Sequence, residues 1–320
     1  MKPLMVFGII LASIFAIVAI LLFASMINHK NKLQAESEKY LPPGSMIEVN
    51  DKRMHVYASG DGETTLVFMA GHGTSSPTYD FKPLWKRMMD DYRIVVVEKS
   101  GYGWSDTSDS SRDIDTILEE TRKLLELKGE KGPYVLVPHS MSGLEAIYWA
   151  QKYPEEVKAV IGLDPSTPET VKLLPEPQGA QLNFLYFISR VGLSRFMPDQ
   201  EISKILPLLN SNDLSEEDKL KYRAMFFKST LTRDMLKEVE YLKDNASTVE
   251  QGKVPIDTPM YFFVSKQQDV VAVGWMDSTL EYITRIKTKE HMLLDTGHYV
   301  HHEKADVIAK EIKTFLSEID

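Results

Sequence analysis

The chain has 320 residues, of which 43% are hydrophobic, a formal net charge of -9 and no cysteine. Its size allows one large core, and its acidic balance argues against a nucleic-acid partner, because that binding depends on Lys and Arg contacts to phosphates. Without cysteine there are no disulfides, no thiolate nucleophile and no cysteine metal site.

The first predicted element is an apolar segment, residues 4–27, which carries no charge and almost no polar side chain. At about 1.5 Å per residue it is long enough to cross the roughly 30 Å of hydrocarbon in a bilayer. We therefore predict a single-pass transmembrane anchor over residues 1–28. A cleaved signal peptide is the alternative, although the apolar region of such peptides usually spans only about 7 to 15 residues.

The charges that flank this segment nearly balance. Lys2 precedes it and Lys30 and Lys32 follow it, so that counting positive charges decides little about orientation. We expect the rest of the chain to lie outside the cytoplasm. Residues 29–43 are polar and are predicted to form a linker between the anchor and the folded domain.

From Gly44 onward, short apolar runs alternate with helical stretches, which predicts an α/β domain with a mostly parallel sheet. The first two runs resemble an antiparallel hairpin. Between residues 164 and 259 only helical spacing is found, which predicts an inserted helical segment. The predicted strands are 46–49, 54–57, 65–69, 92–97, 134–137, 159–163, 259–264 and 292–294.

Small and polar residues follow several of these strands. The strand 134–137 stops at Ser140 and gives way at once to a helical stretch, so Ser140 lies at a strand-to-helix corner. Such a corner exposes the hydroxyl and needs small residues two positions before and after the serine. Here those positions hold Pro138 and Ser142. A helix N-cap is the alternative role of Ser140.

The remaining loops complete a set of motifs in a fixed order. They are Gly71-His72-Gly73, the stretch from Glu98 to Ser105, the stretch from Ser265 to Asp269, and Gly297-His298. Together with Ser140, this set resembles the α/β-hydrolase superfamily, and specifically its serine hydrolases with a helical cap. The resemblance covers nearly everything after the apolar segment.

The resemblance implies an α/β-hydrolase fold, with a mostly parallel central sheet flanked by helices. The predicted core comprises residues 44–168 and 257–320, and the helical cap comprises residues 169–256. The stretch from Glu98 to Ser105 is then a structural corner beside the pocket. Related dehalogenases and epoxide hydrolases would have Asp at the nucleophile position, so that Ser140 argues against both.

The resemblance also implies the roles of individual residues. Ser140 is the nucleophile, His298 the general base and Asp269 the acid of a triad. Asp269 comes one position later than in the family, and Asp164 is the alternative acid, because some branches of the family place it there. The backbone N–H groups of His72 and Met141 are expected to form the oxyanion hole, although the glycines of this loop are also compatible with an ordinary turn.

These roles predict hydrolysis of a carboxylic ester or related acyl bond of a small, apolar substrate, with no cofactor. An amidase or aminopeptidase would use the same triad, with Glu201, Glu216 or Glu217 holding a substrate amine. An acyltransferase would need an acceptor that competes with water. A membrane-anchored binding protein without activity also stays open, because Pro138 removes an N–H group at the elbow.

The adjacent residues His301 and His302 were considered as metal ligands. Neighbouring side chains at the start of a helix point in different directions, so we expect no metal site there. The sequence leaves the oligomeric state open.

Overall fold

The computed structural model describes residues 3–176, 178–252, 254, 256–267 and 272–319. Its centre is an eight-stranded sheet in the order β1-β2-β4-β3-β5-β6-β7-β8. β1 and β2 pair antiparallel, as do β2 and β4, and the other neighbours are parallel. The strands are β1 Ser45–Val49, β2 Lys52–Ser59, β3 Thr65–Met69, β4 Arg93–Glu98, β5 Tyr134–Pro138, β6 Val157–Leu163, β7 Met260–Ser265 and β8 Lys289–Leu294.

Helices cover both faces of the sheet and form the insertion between β6 and β7. Short 3-10 turns span Pro154–Glu156, Leu193–Phe196 and Pro207–Asn210. The α-helices are α1 Pro3–Lys39, α2 Pro77–Asp80, α3 Lys82–Trp85, α4 Ile114–Lys128, α5 Ser142–Lys152, α6 Pro168–Lys172, α7 Gly179–Arg190, α8 Asp199–Ile205, α9 Glu216–Ser229, α10 Arg233–Glu250, α11 Trp275–Ile283, α12 Val300–Glu303 and α13 Ala305–Ile319.

The central strands are apolar on both faces because each face is covered by helices. Successive residues of one strand point to opposite sides. Val67 thus joins the apolar cluster that contains residues of α4 and α5. Its neighbour Phe68 joins the cluster that contains residues of α3 and α13. This arrangement confirms the predicted fold, a mostly parallel sheet flanked by helices.

The insertion between β6 and β7 is helical, as the spacing predicted, and its helices run from α6 to α10. We call residues 168–250 the cap. Side-chain oxygens cap the start of three of its helices, because the first N–H groups of a helix have no partner within it. The hydroxyls of Thr167, Ser215 and Thr232 accept from the N–H groups of Thr170, Asp218 and Met235, respectively.

Helix α1 extends well beyond the apolar segment. It runs without a break for 37 residues and is long and apolar enough to cross a membrane, a test that a signal sequence also passes. The stretch 29–43 that we predicted as a linker is helical as far as Lys39. This stretch packs on the folded domain, because Leu33 and Tyr40 join an apolar cluster that consists mainly of cap residues.

Candidate active site

Ser140 lies at the turn between β5 and α5, where its backbone has a φ of 52°. A positive φ is uncommon for any residue other than glycine and is found where a strained turn is held by its surroundings. The neighbouring helix turn approaches the loop after β6 so closely that a Cβ atom on Gly143 would lie 2.4 Å from the carbonyl oxygen of Ser166. The predicted corner is therefore present, with Ser140 at its tip.

Ser142 and Pro138 stand at the positions where small residues are usual. The hydroxyl of Ser142 donates to the carbonyl of Met69 at 2.6 Å and accepts from the backbone N–H of His139 at 3.1 Å. The extra side chain is thus accommodated by hydrogen bonds to β3 and to the turn. Pro138 pairs with Met69, and the N–H of His139 bonds to the Met69 carbonyl at 3.0 Å. The sheet continues past the proline.

His298 lies in the loop after β8 and contacts a buried carboxylate. Its Nδ1 is 2.6 Å from Oδ2 of Asp164, whose exposed fraction is 1%. The other oxygen of Asp164, Oδ1, accepts from the backbone N–H of Ser265 at 2.9 Å. Asp164 therefore fixes the ring through Nδ1, and Nε2 is the nitrogen left for proton exchange. Asp269, the acid that we predicted first, lies outside the described residues.

His139 connects the loop of His298 to the nucleophile turn. Its ring centroid is 4.7 Å from that of His298, and its Nε2 lies 3.3 Å from the carbonyl oxygen of His298, to which it can donate. Burial, and then the charges of His298 and His301, lower the pKa of His139 well below its usual value, so this ring is neutral. Because His139 directly precedes Ser140, these contacts hold the loop of His298 beside the turn that carries Ser140.

Ser140, Met141 and His72 line a common cavity of about 400 Å³. The loop that carries His72 lies against Ser140, because a Cβ atom on Gly71 would be 2.6 Å from the Cβ of Ser140. Only glycine permits this approach. The other walls are mostly apolar and include Leu174, Leu182, Leu185, Val239 and Leu242 from the cap and Trp275 from α11.

The side chains of two lining residues, His72 and Trp275, have no role predicted from the sequence. The side chain of His72 is half-buried, and burial is the main reason that its pKa is lowered. Its Nδ1 has no hydrogen-bond partner among the residues that the structure describes. Trp275 is 2% exposed and lies with its ring centroid 5.7 Å from that of His298. The only sequence signal for Trp275 is a large aromatic residue that starts a helix close after Asp269.

The glutamates considered as holders of a substrate amine do not line this cavity. Glu201, Glu216 and Glu217 each pair with a lysine one turn along their own helix. A different acidic residue, Glu176, is at the cavity edge, where it pairs with Lys243.

One group of side chains is of the type that could hold a metal ion. It consists of Asp80, His301 and His302, whose ligand atoms lie within 4.8 Å of one another. Nε2 of His301 and Nε2 of His302 are each 3.1 Å from one oxygen of Asp80, which is a hydrogen-bond distance. Burial raises the pKa of Asp80, but the charge of His302 and the hydrogen bonds from both rings outweigh it and lower the pKa. The two side chains, expected to diverge, converge because one carboxylate offers two acceptors.

The corner loop after β4 joins the core to the cap through buried charges. Nζ of Lys99 lies 2.6 Å from Oε1 of Glu145 on α5 and 3.3 Å from Oε2 of Glu238 on α10. The hydroxyl of Tyr102 donates to the same Glu238 oxygen at 2.6 Å. Breaking such a buried pair leaves an uncompensated charge, so these contacts fix α10 over the cavity.

Known proteins share this architecture. A family model described as alpha/beta hydrolase fold matches residues 65–191. The uncharacterized protein YbdG of Bacillus subtilis is 36% identical over 80% of this chain and 78% of that protein. Epoxide hydrolase 4 of Homo sapiens is 22% identical over 83% of this chain and 76% of its own. The crystal structure of the epoxide hydrolase VrEH1 from Vigna radiata has a TM-score of 0.66 and 21% identity, covering 86% of this chain and 97% of that one.

Proposed function

The chain belongs to the α/β-hydrolase family, and from this premise we propose that it is a serine hydrolase that cleaves a carboxylic ester or a related acyl bond. The observation that supports this most directly is the elbow, where Ser140 has a φ of 52° and lines the cavity. The contact of 2.6 Å between His298 and Asp164 at the same edge of the sheet supplies the base and the acid.

In the proposed reaction, the hydroxyl oxygen of Ser140 attacks the substrate carbonyl while Nε2 of His298 takes its proton. The backbone N–H groups of His72 and Met141 donate to the oxyanion. The proton then passes to the leaving alcohol, and an acyl-enzyme remains on Ser140. Water, deprotonated by His298, attacks this ester and releases the acid, which restores the serine.

We propose Asp164 as the acid, in preference to Asp269. Its carboxylate touches the ring nitrogen that is not used for proton transfer, and its burial makes that hydrogen bond strong. A carboxylate in this place holds the ring in the correct tautomer and stabilises the imidazolium that forms.

Serine at the elbow favours acyl substrates over epoxides, although epoxide hydrolases are among the similar proteins. Attack of a serine oxygen on an epoxide would form an ether, which water does not readily cleave. Attack on an acyl carbon forms an ester, which the same site can hydrolyse. Glu201, Glu216 and Glu217 are disfavoured as holders of a substrate amine because each is paired with a lysine outside the cavity.

The test is to react the purified full-length protein with a fluorophosphonate probe and to measure hydrolysis of a soluble short-chain ester. Ser140→Ala should prevent labelling and lower kcat by about 10⁶, as in other serine triads. Ser142→Gly, which restores the usual elbow residue, is the matched control and should remain labelled. A Ser140→Ala protein that keeps its rate would contradict the mechanism.

We further propose that α1 is an uncleaved membrane anchor, with the hydrolase domain outside the cytoplasm. Removal of a signal peptide would separate residues that pack on the cap. Ser25, which would be lost with such a peptide, donates to the carbonyl of Val191 at 2.7 Å. The intact mass of the protein from the membrane fraction should include residues 4–27, and protease added to intact cells should digest the domain. A soluble, shortened protein would contradict the anchor.

A further inference from the structure

The outer side of cap helix α7 and the turn after it expose large apolar side chains. Phe184 is 61% exposed and Phe187 is 47% exposed. Leu193 and Phe196 in the following turn are also exposed. Single exposed apolar residues are common, but a continuous set of this kind on a soluble surface marks a contact with a partner or a membrane.

The other side of the same helix forms a wall of the catalytic cavity. Gln181, Leu182 and Leu185 line the cavity. Residues three and four apart share one face of a helix, and each residue turns about 100° from the last. At this angle, Phe187 lies about 165° from the mean direction of the three lining residues, and Phe184 lies about 105° from it. Phe187 therefore faces away from the cavity and Phe184 lies on the flank of the helix, so that α7 separates the cavity from an exposed apolar surface.

Helix α1 is attached directly beside this exposed face. The hydroxyl of Ser25 donates to the carbonyl of Val191, the first residue after α7, at 2.7 Å. A Cβ atom on Gly192 would lie 2.4 Å from the Cβ of His29. Nε of Arg195 donates to Nδ1 of His29 at 2.8 Å. Segment 191–195 of the cap thus packs against residues 25–29 of α1.

These contacts fall where the apolar segment of α1 ends. The segment spans residues 4–27, and the exposed lysines Lys30 and Lys32 follow within the next helical turns. Phe184 precedes Val191 by about 10 Å along α7, at 1.5 Å per residue. The exposed apolar face therefore begins close to the point where the apolar segment of α1 ends.

We propose that the outer face of α7, with Leu193 and Phe196, rests on the lipid bilayer, and that the substrate is an amphiphilic acyl lipid that enters the cavity from the membrane. The bilayer is the occupant because α1, which packs beside this face, is the proposed membrane anchor. Lys30 and Lys32 suit anionic headgroups. The apolar cavity walls suit an acyl chain. The lipid substrate rests on the hydrolase function proposed above, and the membrane contact rests on the proposed anchor.

The contact is tested without catalysis in the full-length Ser140→Ala protein, reconstituted into vesicles of phosphatidylcholine and phosphatidylglycerol. Because the chain has no cysteine, the single substitutions Phe184→Cys, Phe187→Cys and, as control, Leu127→Cys each give one labelling site. Leu127 is 49% exposed on α4, a helix of the core. An environment-sensitive fluorophore should report an apolar setting at 184 and 187, with quenching by spin-labelled lipids, and an aqueous setting at 127.

Other outcomes of the labelling overturn the membrane contact. Labels at 184 and 187 that stay aqueous in vesicles show that the face does not touch lipid. Labels that are shielded from water but not quenched by lipid show that a second protein copy covers it.

Activity tests the second half of the proposal. The double variant Phe184→Ser/Phe187→Ser should lower the rate on a long-chain ester embedded in vesicles by about tenfold, since membrane contact scales with apolar area. The double variant should leave the rate on a soluble short-chain ester unchanged. The control Leu127→Ser should leave the rates on both esters unchanged. Equal rates of variant and wild type on the embedded ester overturn lipid entry. Wild-type protein inactive on both esters contradicts the hydrolase function instead, while the fluorescence result stands.

Discussion

The substitution Asp164→Asn tests the acid of the proposed triad. Asparagine keeps Oδ1, which accepts from the N–H of Ser265, so the loop between β6 and β7 stays in place. It replaces Oδ2, 2.6 Å from Nδ1 of His298, by an NH₂ group. This group donates to Nδ1 and places the ring proton on Nε2, where the ring can no longer accept the proton of Ser140.

The expected effect is a fall in kcat of about 10⁴, the loss known for an incorrect tautomer in a serine triad, or roughly 5 kcal/mol of transition-state stabilisation. It is measured as hydrolysis of a soluble short-chain ester by the full-length protein. Thermal unfolding should change little, since the hydrogen bond to Ser265 is kept. Asp269→Asn is the matched control, with the same chemical change at the other candidate acid.

The opposite result in the two variants would refute Asp164 as the acid. If Asp164→Asn kept most of kcat while Asp269→Asn lost it, the contact at His298 would have a structural role. Equal losses in both variants, with unchanged unfolding, would mean that the ring needs both carboxylates.

Two further predictions concern stability. Gly143→Ala should lower the free energy of unfolding by about 1 to 3 kcal/mol, because the new methyl group would lie 2.4 Å from the carbonyl oxygen of Ser166. Chemical denaturation measures this free energy, and an unchanged midpoint would contradict the predicted clash. Burial is the main cause that lowers the pKa of His301 from 6.5 to about 4, so the unfolded chain binds more protons between these pH values. The free energy of unfolding should therefore fall as the pH drops from 6.5 to 4. In His301→Gln the slope of this free energy against pH should be shallower, by the equivalent of up to one bound proton. Equal slopes in the variant and the wild type would contradict the lowered pKa of His301.

Much of the fold could be predicted because the sequence pattern has a direct physical cause. The runs at 65–69 and 134–137 are apolar without alternation, which buried parallel strands require. The abrupt change from strand to helix at Ser140 needs no knowledge of distant residues. The elbow was therefore visible from local sequence, even with Pro138 and Ser142 in unusual places.

The acid could not be chosen in the same way. Asp164 follows β6 and Asp269 follows β7, and these strands are neighbours in the sheet. Both strands end at the same edge of the sheet, near the loop of His298, so that chain order allows either carboxylate as the acid. Which of them reaches the ring depends on local backbone turns, such as the φ of 47° at Asp164, that strand patterns do not encode.

The extent of α1 was missed for a related reason. The change from apolar to polar residues at His29 marks where a membrane would end, and we took it as the end of the helix. Helix propensity continues, however, through residues such as Leu33 and Glu36. Their packing partners lie in the cap, more than 150 positions later, as the contact of Glu36 with Arg195 shows.

The attachment of α1 decides which part of the domain lies nearest the proposed anchor. Ser25 and Glu36 both bind residues of the cap. With α1 in a bilayer, the cap is therefore held at the membrane surface, and a lipid that leaves the bilayer meets the cap before it reaches Ser140 and His298.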